Sequence, residues 1–283
     1  MNQPCAVGVP GWEAQLGLRF ERSIGRTVLA GRQHRGPLVV QKALYPEGDA
    51  VCHAVIVHPP GGIVGGDRLE IDAALGPGAH ALITTPGATR WYRSAGPAAT
   101  QTLRFRVAAG ATLEWLPQES IFFEGCRARN RIEFDVETGA TLLAWEIVCL
   151  GRVRSGERFA RGEAFQCLSL HVGARLCWTE RGRLAAGARS LASRVGLGGR
   201  PVFGTALFRP VPAAEASRLL DACRAAENAA EGATGLTLLG DVLVGRYLGD
   251  SAEEARAVFA GWWAILRPLL AGCAAVRPRI WST

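Results

Sequence analysis

Between about Val39 and Leu184, apolar and polar residues alternate with the period of two that half-buried strands impose. Leu69, Ile71 and Ala73 fall on one side, and Glu70 and Asp72 on the other. Leu103, Phe105 and Val107 alternate with Arg104 and Arg106 in the same way, and Ile132, Phe134 and Val136 with Glu133 and Asp135. The polar faces change sign from one segment to the next, which suits cross-strand ion pairing between neighbours. Each segment runs into a Gly-Ala turn and a second strand. The turns are Gly78-Ala79, Gly110-Ala111, Gly139-Ala140 and Gly173-Ala174, at intervals of 32, 29 and 34 residues. A leucine follows two positions after the last three alanines, at Leu113, Leu142 and Leu176. The pattern predicts a mainly β protein: stacked strand–turn–strand units forming a large β body.

The last quarter changes period. Ala213 to Ala230 is alanine-rich, follows Pro212 and carries Leu219, Leu220 and Cys223 on one side, so a helix is expected. Leu236–Leu239 and Val242–Leu248 read as a short hairpin turning at Gly240-Asp241. Ser251 opens a second helix, with Glu254 completing a capping box and Pro268 closing it. Its apolar face is Ala255, Val258, Phe259, Trp262 and Leu266. No linker sets this region apart. One domain over 1–283 is expected, with 1–205 as the β body and 206–283 as a helix–hairpin–helix region packed on it.

Composition narrows the class. The chain has 283 residues, 48% of them hydrophobic, enough for a large core. The most apolar stretch, Ala257 to Val276, is broken by Arg267 and Pro268, so no membrane span is expected. The opening MNQPCAVGVPGWE does not read as a secretory signal. Eight cysteines (Cys5, Cys52, Cys126, Cys149, Cys167, Cys177, Cys223, Cys273) stand singly, as in a reduced cytoplasmic protein. The net charge of +7 is nearly all arginine, Lys42 being the only lysine, and it forms no basic run. That distribution reads as a compositional habit of arginine rather than a nucleic-acid footprint, and an acidic protein partner explains the same charge equally well.

Two glycine pairs, Gly61-Gly62 and Gly65-Gly66, suggest a phosphate loop, but Asp67 and Arg68 stand where Lys and Ser/Thr would be needed. Nucleotide chemistry is disfavoured on that ground. The glycines instead imply unusual torsions or close backbone packing. The five histidines (His34, His53, His58, His80, His171) show no HxH or HExxH spacing, and no nucleophilic triad assembles. His58 beside Pro59 reads either as a ligand or, more commonly for such a position, as a histidine that hydrogen-bonds its own turn. More informative are carboxylates in apolar surroundings: Glu119 in WLPQESIFF, Glu146 in LLAWEIVCL and Glu180 after LCWT. A dry, ionised carboxylate costs several kcal/mol unless paired or wet. Each therefore needs an arginine partner or a water-filled passage.

Five blocks carry a resemblance: HPPGGIVGGDRL (58–69), TTPGATRWYRS (84–94), LEWLPQESIFF (113–123), LLAWEIVCLGR (142–152) and PRIWST (278–283). In order and spacing they resemble the UreD (UreH) family of urease accessory proteins, over nearly the whole chain. The resemblance implies a mostly β protein that is not an enzyme. It implies a protein that binds urease apoprotein and a UreF-type accessory protein, which in turn recruits the nickel-carrying UreG-type GTPase, in a dimer of heterotrimers. It implies no tightly bound cofactor, with nickel in transit through an internal tunnel. The tunnel residues it maps are Asp67, Ser94, Glu146 and Glu180. Arg68 departs from the family pattern, where an acidic residue is common. A binding module that reshapes apo-urease without carrying metal remains the competing reading.

Overall fold

The computed structural model describes residues 11–94, 96–226 and 230–282. The reading of the first ten residues, Cys5 included, and the end of the first expected helix lie outside the described residues. Two strands, β1 (Glu13–Ser23) and β2 (Arg26–Arg35), pair antiparallel at one edge, and β3 (Val39–Leu44) pairs with β4 (Cys52–Val57) at the edge of a second sheet. Three coils follow. The first is β5 (Arg68–Leu75), β6 (His80–Thr84) and the short β7 (Thr89–Trp91). The second is β8 (Ala99–Val107), β9 (Thr112–Trp115) and β10 (Ser120–Phe122). The third is β11 (Arg127–Val136) and β12 (Thr141–Leu150). In each coil the first strand lies in one sheet and the second in the other, and successive coils pair in parallel.

The Gly-Ala turns are the corners where the chain changes sheet. Gly78, Gly110 and Gly139 take positive φ of 70°, 73° and 83°, and the alanines after them are fully buried. Corner stacks on corner: Thr112 N–H donates to the Ala79 carbonyl and Thr141 N–H to that of Ala111, both at 2.8 Å. The fourth turn differs. Gly173 joins β13 (Glu163–Val172) to β14 (Arg175–Ala185) as an antiparallel hairpin within one sheet. Leu113 and Leu142 are accordingly buried, whereas Leu176 is exposed.

The sheets have seven and ten strands. The predicted charge alternation lies on the outer face of the smaller one. Asp72, Arg104 and Glu133 are register partners across β5, β8 and β11, with Arg104 at 3.7 Å from Asp72 and 3.6 Å from Glu133. Inside, Phe105 stacks on Phe134 at 5.1 Å and tilts against Trp115 at 5.0 Å, filling the space between the sheets.

The C-terminal segment adds a third layer. After a four-residue helix, α1 (Arg189–Ala192), strand β15 (Val202–Arg209) pairs antiparallel with β12, so it crosses the expected boundary at 205/206. Helix α2 (Ala216–Ala226) starts later than expected because Ala213–Glu215 forms a 3-10 turn. The hairpin β16 (Ala233–Leu239) and β17 (Val242–Gly249) extends the ten-stranded sheet through β15. Helix α3 (Ala252–Leu270) packs with α2 on the outer face of that sheet, burying Ala255, Val258, Phe259, Trp262 and Leu266 as the spacing predicts. Ser251 Oγ accepts from Glu254 N–H at 3.1 Å, giving half of the capping box. Glu254 does not return the bond. Its carboxylate is taken by Gly232 N–H, the Glu231 N–H and the Tyr247 hydroxyl. Pro268 does not stop the helix, which runs two residues further before Ala271 caps it.

Strand β12 is therefore covered on both faces, which explains why LLAWEIVCL is continuous rather than alternating. Leu143, Trp145 and Ile147 face the helices, while Leu142, Ala144 and Val148 face the other sheet. Glu146 falls on the second face, pointing between the sheets.

Candidate functional site

A cavity of about 210 Å³ opens at the exposed Gly61, Gly87 and Arg90 and reaches inward past His58 and Gln101 to Glu146. Beyond it lies a chamber of about 20 Å³, which shares Ile132 and Glu146 with the first and is bounded by Gln166, Glu180 and Thr205. That is room for about one water molecule. Gln166 and Glu180 also line a groove of about 640 Å³ between β14 and the β16–β17 hairpin. Two carboxylates from opposite sheets thus stand along one line of spaces. Register brings them together: Glu146 on β12 lies opposite Thr205 on β15, whose hydroxyl donates to Glu180 at 2.8 Å.

The three carboxylates in apolar surroundings meet different fates. Glu119 accepts from Arg256 at 2.9 Å, and Glu180 from Arg246 at 2.9 Å. Glu146 has no cationic partner among the described residues. It accepts from the Ser120 hydroxyl at 2.8 Å and the Asn130 amide at 3.5 Å, and Gln101 in turn donates to Asn130 at 3.2 Å. Burial pushes its pKa up to about 7, with the Ser120 hydrogen bond pulling weakly the other way. At neutral pH this group is poised between a proton and a charge.

Of the two remaining residues mapped by the resemblance, Asp67 ends the glycine loop and Ser94, between β7 and β8, sits against its Gly65. Asp67 is buried, and both its oxygens are taken by backbone: Oδ1 by Trp12 N–H at 2.8 Å and Oδ2 by Val64 N–H at 2.9 Å. It closes the loop as an acceptor of amide protons that glycine-rich backbone leaves unpaired. Ser94 donates to the Pro97 carbonyl and accepts from Gly96 N–H at 3.2 Å. Neither side chain is among those lining the 210 Å³ cavity. Arg68 lies on the outer face of β5 and is exposed.

Nearly the whole chain, this loop and the carboxylates included, is matched by known proteins. The family described as "UreD urease accessory protein" matches residues 13–282. The chain is 50% identical to "Urease accessory protein UreD" of Dechloromonas aromatica over 275 residues, 97% of this chain and 96% of that one. It is 48% identical to the protein of the same name from Pseudomonas aeruginosa over 275 residues, at 97% and 96% coverage. With that of Pseudomonas fluorescens strain Pf-5 it shares 46% over 285 residues, spanning both chains entirely. The chain belongs to the UreD family of urease accessory proteins.

Within this UreD-family fold, two features escape a reading of the sequence. His58 does not use its ring to hold the turn. Gly61 N–H donates to its carbonyl at 2.8 Å, and the ring lines the cavity with its pKa lowered by burial, an effect Asp67 partly offsets. The second is a buried ionic cluster under α3. Arg267, with no exposure, donates to both oxygens of Glu114 at 2.8–3.1 Å and to Glu47 at 2.5 and 3.0 Å. His53 and His80 lie 2.6 Å from Glu47 and Glu114 respectively, and Trp263 Nε1 donates to Glu114 at 2.6 Å. Among the described residues, no three His, Cys, Asp or Glu side chains converge as a metal cage, and no helix is long and apolar enough to cross a membrane.

Proposed function

We propose that this UreD-family protein is a non-enzymatic scaffold for urease maturation in the cytoplasm, and that nickel(II) crosses it along the line of spaces from His58 past Glu146 to Glu180. The observation that carries the proposal is Glu146. Among the described residues it is a buried carboxylate without a cationic partner, forming the common wall of a cavity that opens at Gly61, Gly87 and Arg90 and of a small chamber that adjoins the groove at Glu180. Nickel(II) is held adequately by water and carboxylate and far more tightly by imidazole and thiolate clusters. A passage must attract the ion without trapping it, as channels do. Sparse carboxylates with amide and hydroxyl neighbours meet that need. His58 at the entrance supplies one neutral imidazole, Ser120 and the Gln101–Asn130 pair orient Glu146, and Asp67 shapes the loop that borders the entrance. No resident cofactor takes part; nickel is cargo.

In this reading the protein binds urease apoprotein and a UreF-type protein, with a UreG-type GTPase recruited through the latter in a dimer of heterotrimers. The deciding experiment replaces Glu146 or Glu180 with leucine, co-expresses each variant with its partners, and measures both complex assembly and urease activation. Intact assembly with activation lost is the expected result. Intact assembly with normal activation from both variants would leave a scaffold that does not carry the metal.

A further inference from the structure

We infer that Arg246 is a resident counter-ion on Glu180, closing the groove end of the passage until an incoming divalent cation displaces its guanidinium. The inference rests on the passage proposed above and adds a gate to it. Three side chains from two sheets meet there. Glu180 is on β14 of the seven-stranded sheet, and Thr205 and Arg246 are on β15 and β17 of the ten-stranded one. Arg246 Nη1 donates to Glu180 Oε1 at 2.9 Å and to Thr205 Oγ at 2.7 Å, while Thr205 donates to Glu180 Oε2 at 2.8 Å. Both Glu180 oxygens are thus engaged at the point where the small chamber meets the open groove.

The guanidinium is placed to leave. Its side chain is 44% exposed and that of Glu180 25%. A pair this open is worth only about a fivefold preference, because water screens it and both long side chains lose freedom by forming it. The guanidinium rests over the Trp178 ring at 5.3 Å, an aromatic face that supports the stem while the charged end moves between groove and carboxylate. A divalent cation attracts the carboxylate twice as strongly as the single charge it replaces. When the ion moves on, the guanidinium returns, so the empty passage shows no bare carboxylate to the solvent. Glu119, by contrast, is bound by an arginine in a pair with both partners about one-fifth exposed and is absent from the three spaces.

The test compares R246Q, R246K, R246Q/E180Q and E180L in the complex with the partner proteins. Nickel(II) binding at equilibrium and urease activation at limiting nickel are both measured. R246Q frees the carboxylate and tightens nickel binding by about fivefold, the preference the guanidinium held. That gain vanishes in R246Q/E180Q, and R246K behaves as the parent. Activation by R246Q lags at limiting nickel because the ion leaves more slowly. Should R246Q fail to assemble, R246M, whose unbranched stem keeps the packing over Trp178, carries the same readout. Binding by R246Q within twofold of the parent, or a gain that survives E180Q, overturns the gate. E180L reports on the passage itself. If it activates normally, Glu180 is not on the passage and the gate falls with it, and if it blocks activation while R246Q binds like the parent, only the gate falls.

Discussion

Replacing Arg267 with methionine removes one guanidinium and leaves two carboxylates facing each other in the interior. Arg267 and Glu114 have no exposed surface and Glu47 has 5%. The guanidinium is bonded to both carboxylates and to the Ala274 carbonyl, so it fastens α3 and the segment after it to β9 and to the loop following β3. Removing one partner of a buried pair costs about 3–5 kcal/mol, because the other charge stays behind unpaired. For a chain of this size each kcal/mol shifts the midpoint by about 2–4 °C, so Arg267→Met should melt roughly 10 °C below the parent at pH 7.5. The pH dependence supplies a sharper check. Burial raises the pKa of Glu114, but His80 and Arg267 outweigh it and hold the group below its ordinary value; for Glu47, His53 and Arg267 do the same. Carboxylates depressed in the folded state stabilise it above their unfolded pKa, and that contribution is lost as pH falls through the folded value. Without Arg267 burial is no longer outweighed, the carboxylates take up protons at higher pH in the variant, and the gap between variant and parent should shrink as pH falls from 7.5 toward 4. Thermal melts across that range measure it. A variant melting within 2 °C of the parent at pH 7.5, or a gap constant with pH, refutes the assignment of this cluster as a fastening.

Glu146→Gln should stabilise the protein at pH 8 by about 3 kcal/mol, at 1.36 kcal/mol per pKa unit, and leave it unchanged near pH 4, because a carboxyl raised to about 7 destabilises the fold once ionised. Denaturant titrations at the two pH values test the sign, and equal gains at both contradict the burial account. Gly62→Ala should loosen the entrance loop, because an added Cβ would lie 2.2 Å from the Tyr92 ring; the same change at Gly65 meets Ser94 Oγ at 2.1 Å. Faster proteolysis within 61–67 is the expected readout. Cys126 and Cys149, buried and pushed up to about 12 and 11, should resist alkylation at pH 8 while Cys177 reacts, with mass spectrometry after a short iodoacetamide pulse distinguishing them.

Much of the β body can be read in the sequence because both its signals are local. Alternation at Leu69–Ala73 and Ile132–Val136 follows from strand geometry, and glycine at Gly78, Gly110 and Gly139 from the positive φ each corner needs. The same signal at Gly173 has a different outcome, since a turn residue encodes its own torsion and not the sheet the next strand joins. The cluster under α3 is invisible for a related reason. Glu114 and Arg267 are 153 residues apart, and only the fold brings them within hydrogen-bond reach. The reading of Asp67 as a passage residue rests on its place in a block; the structure gives its oxygens to Trp12 and Val64 amides, a use set by the glycines around it.

Glu146 is the opposite case, legible in the sequence and unexplained by packing alone. It interrupts a strand that is apolar on both faces, where leucine or valine would fit the pattern. Arginine is abundant in this chain and resolves Glu119, Glu180, Glu114 and Glu47, each through a specific guanidinium. Glu146 instead receives a hydroxyl and an amide, and its ionisation at neutral pH opposes folding by about 3 kcal/mol. A fold stability criterion would replace it with glutamine, which keeps the Ser120 bond and avoids the charge. Retaining an ionisable oxygen there is intelligible where the oxygen must bind something in its charged form, as the passage proposed above requires of the carboxylate that divides these two spaces.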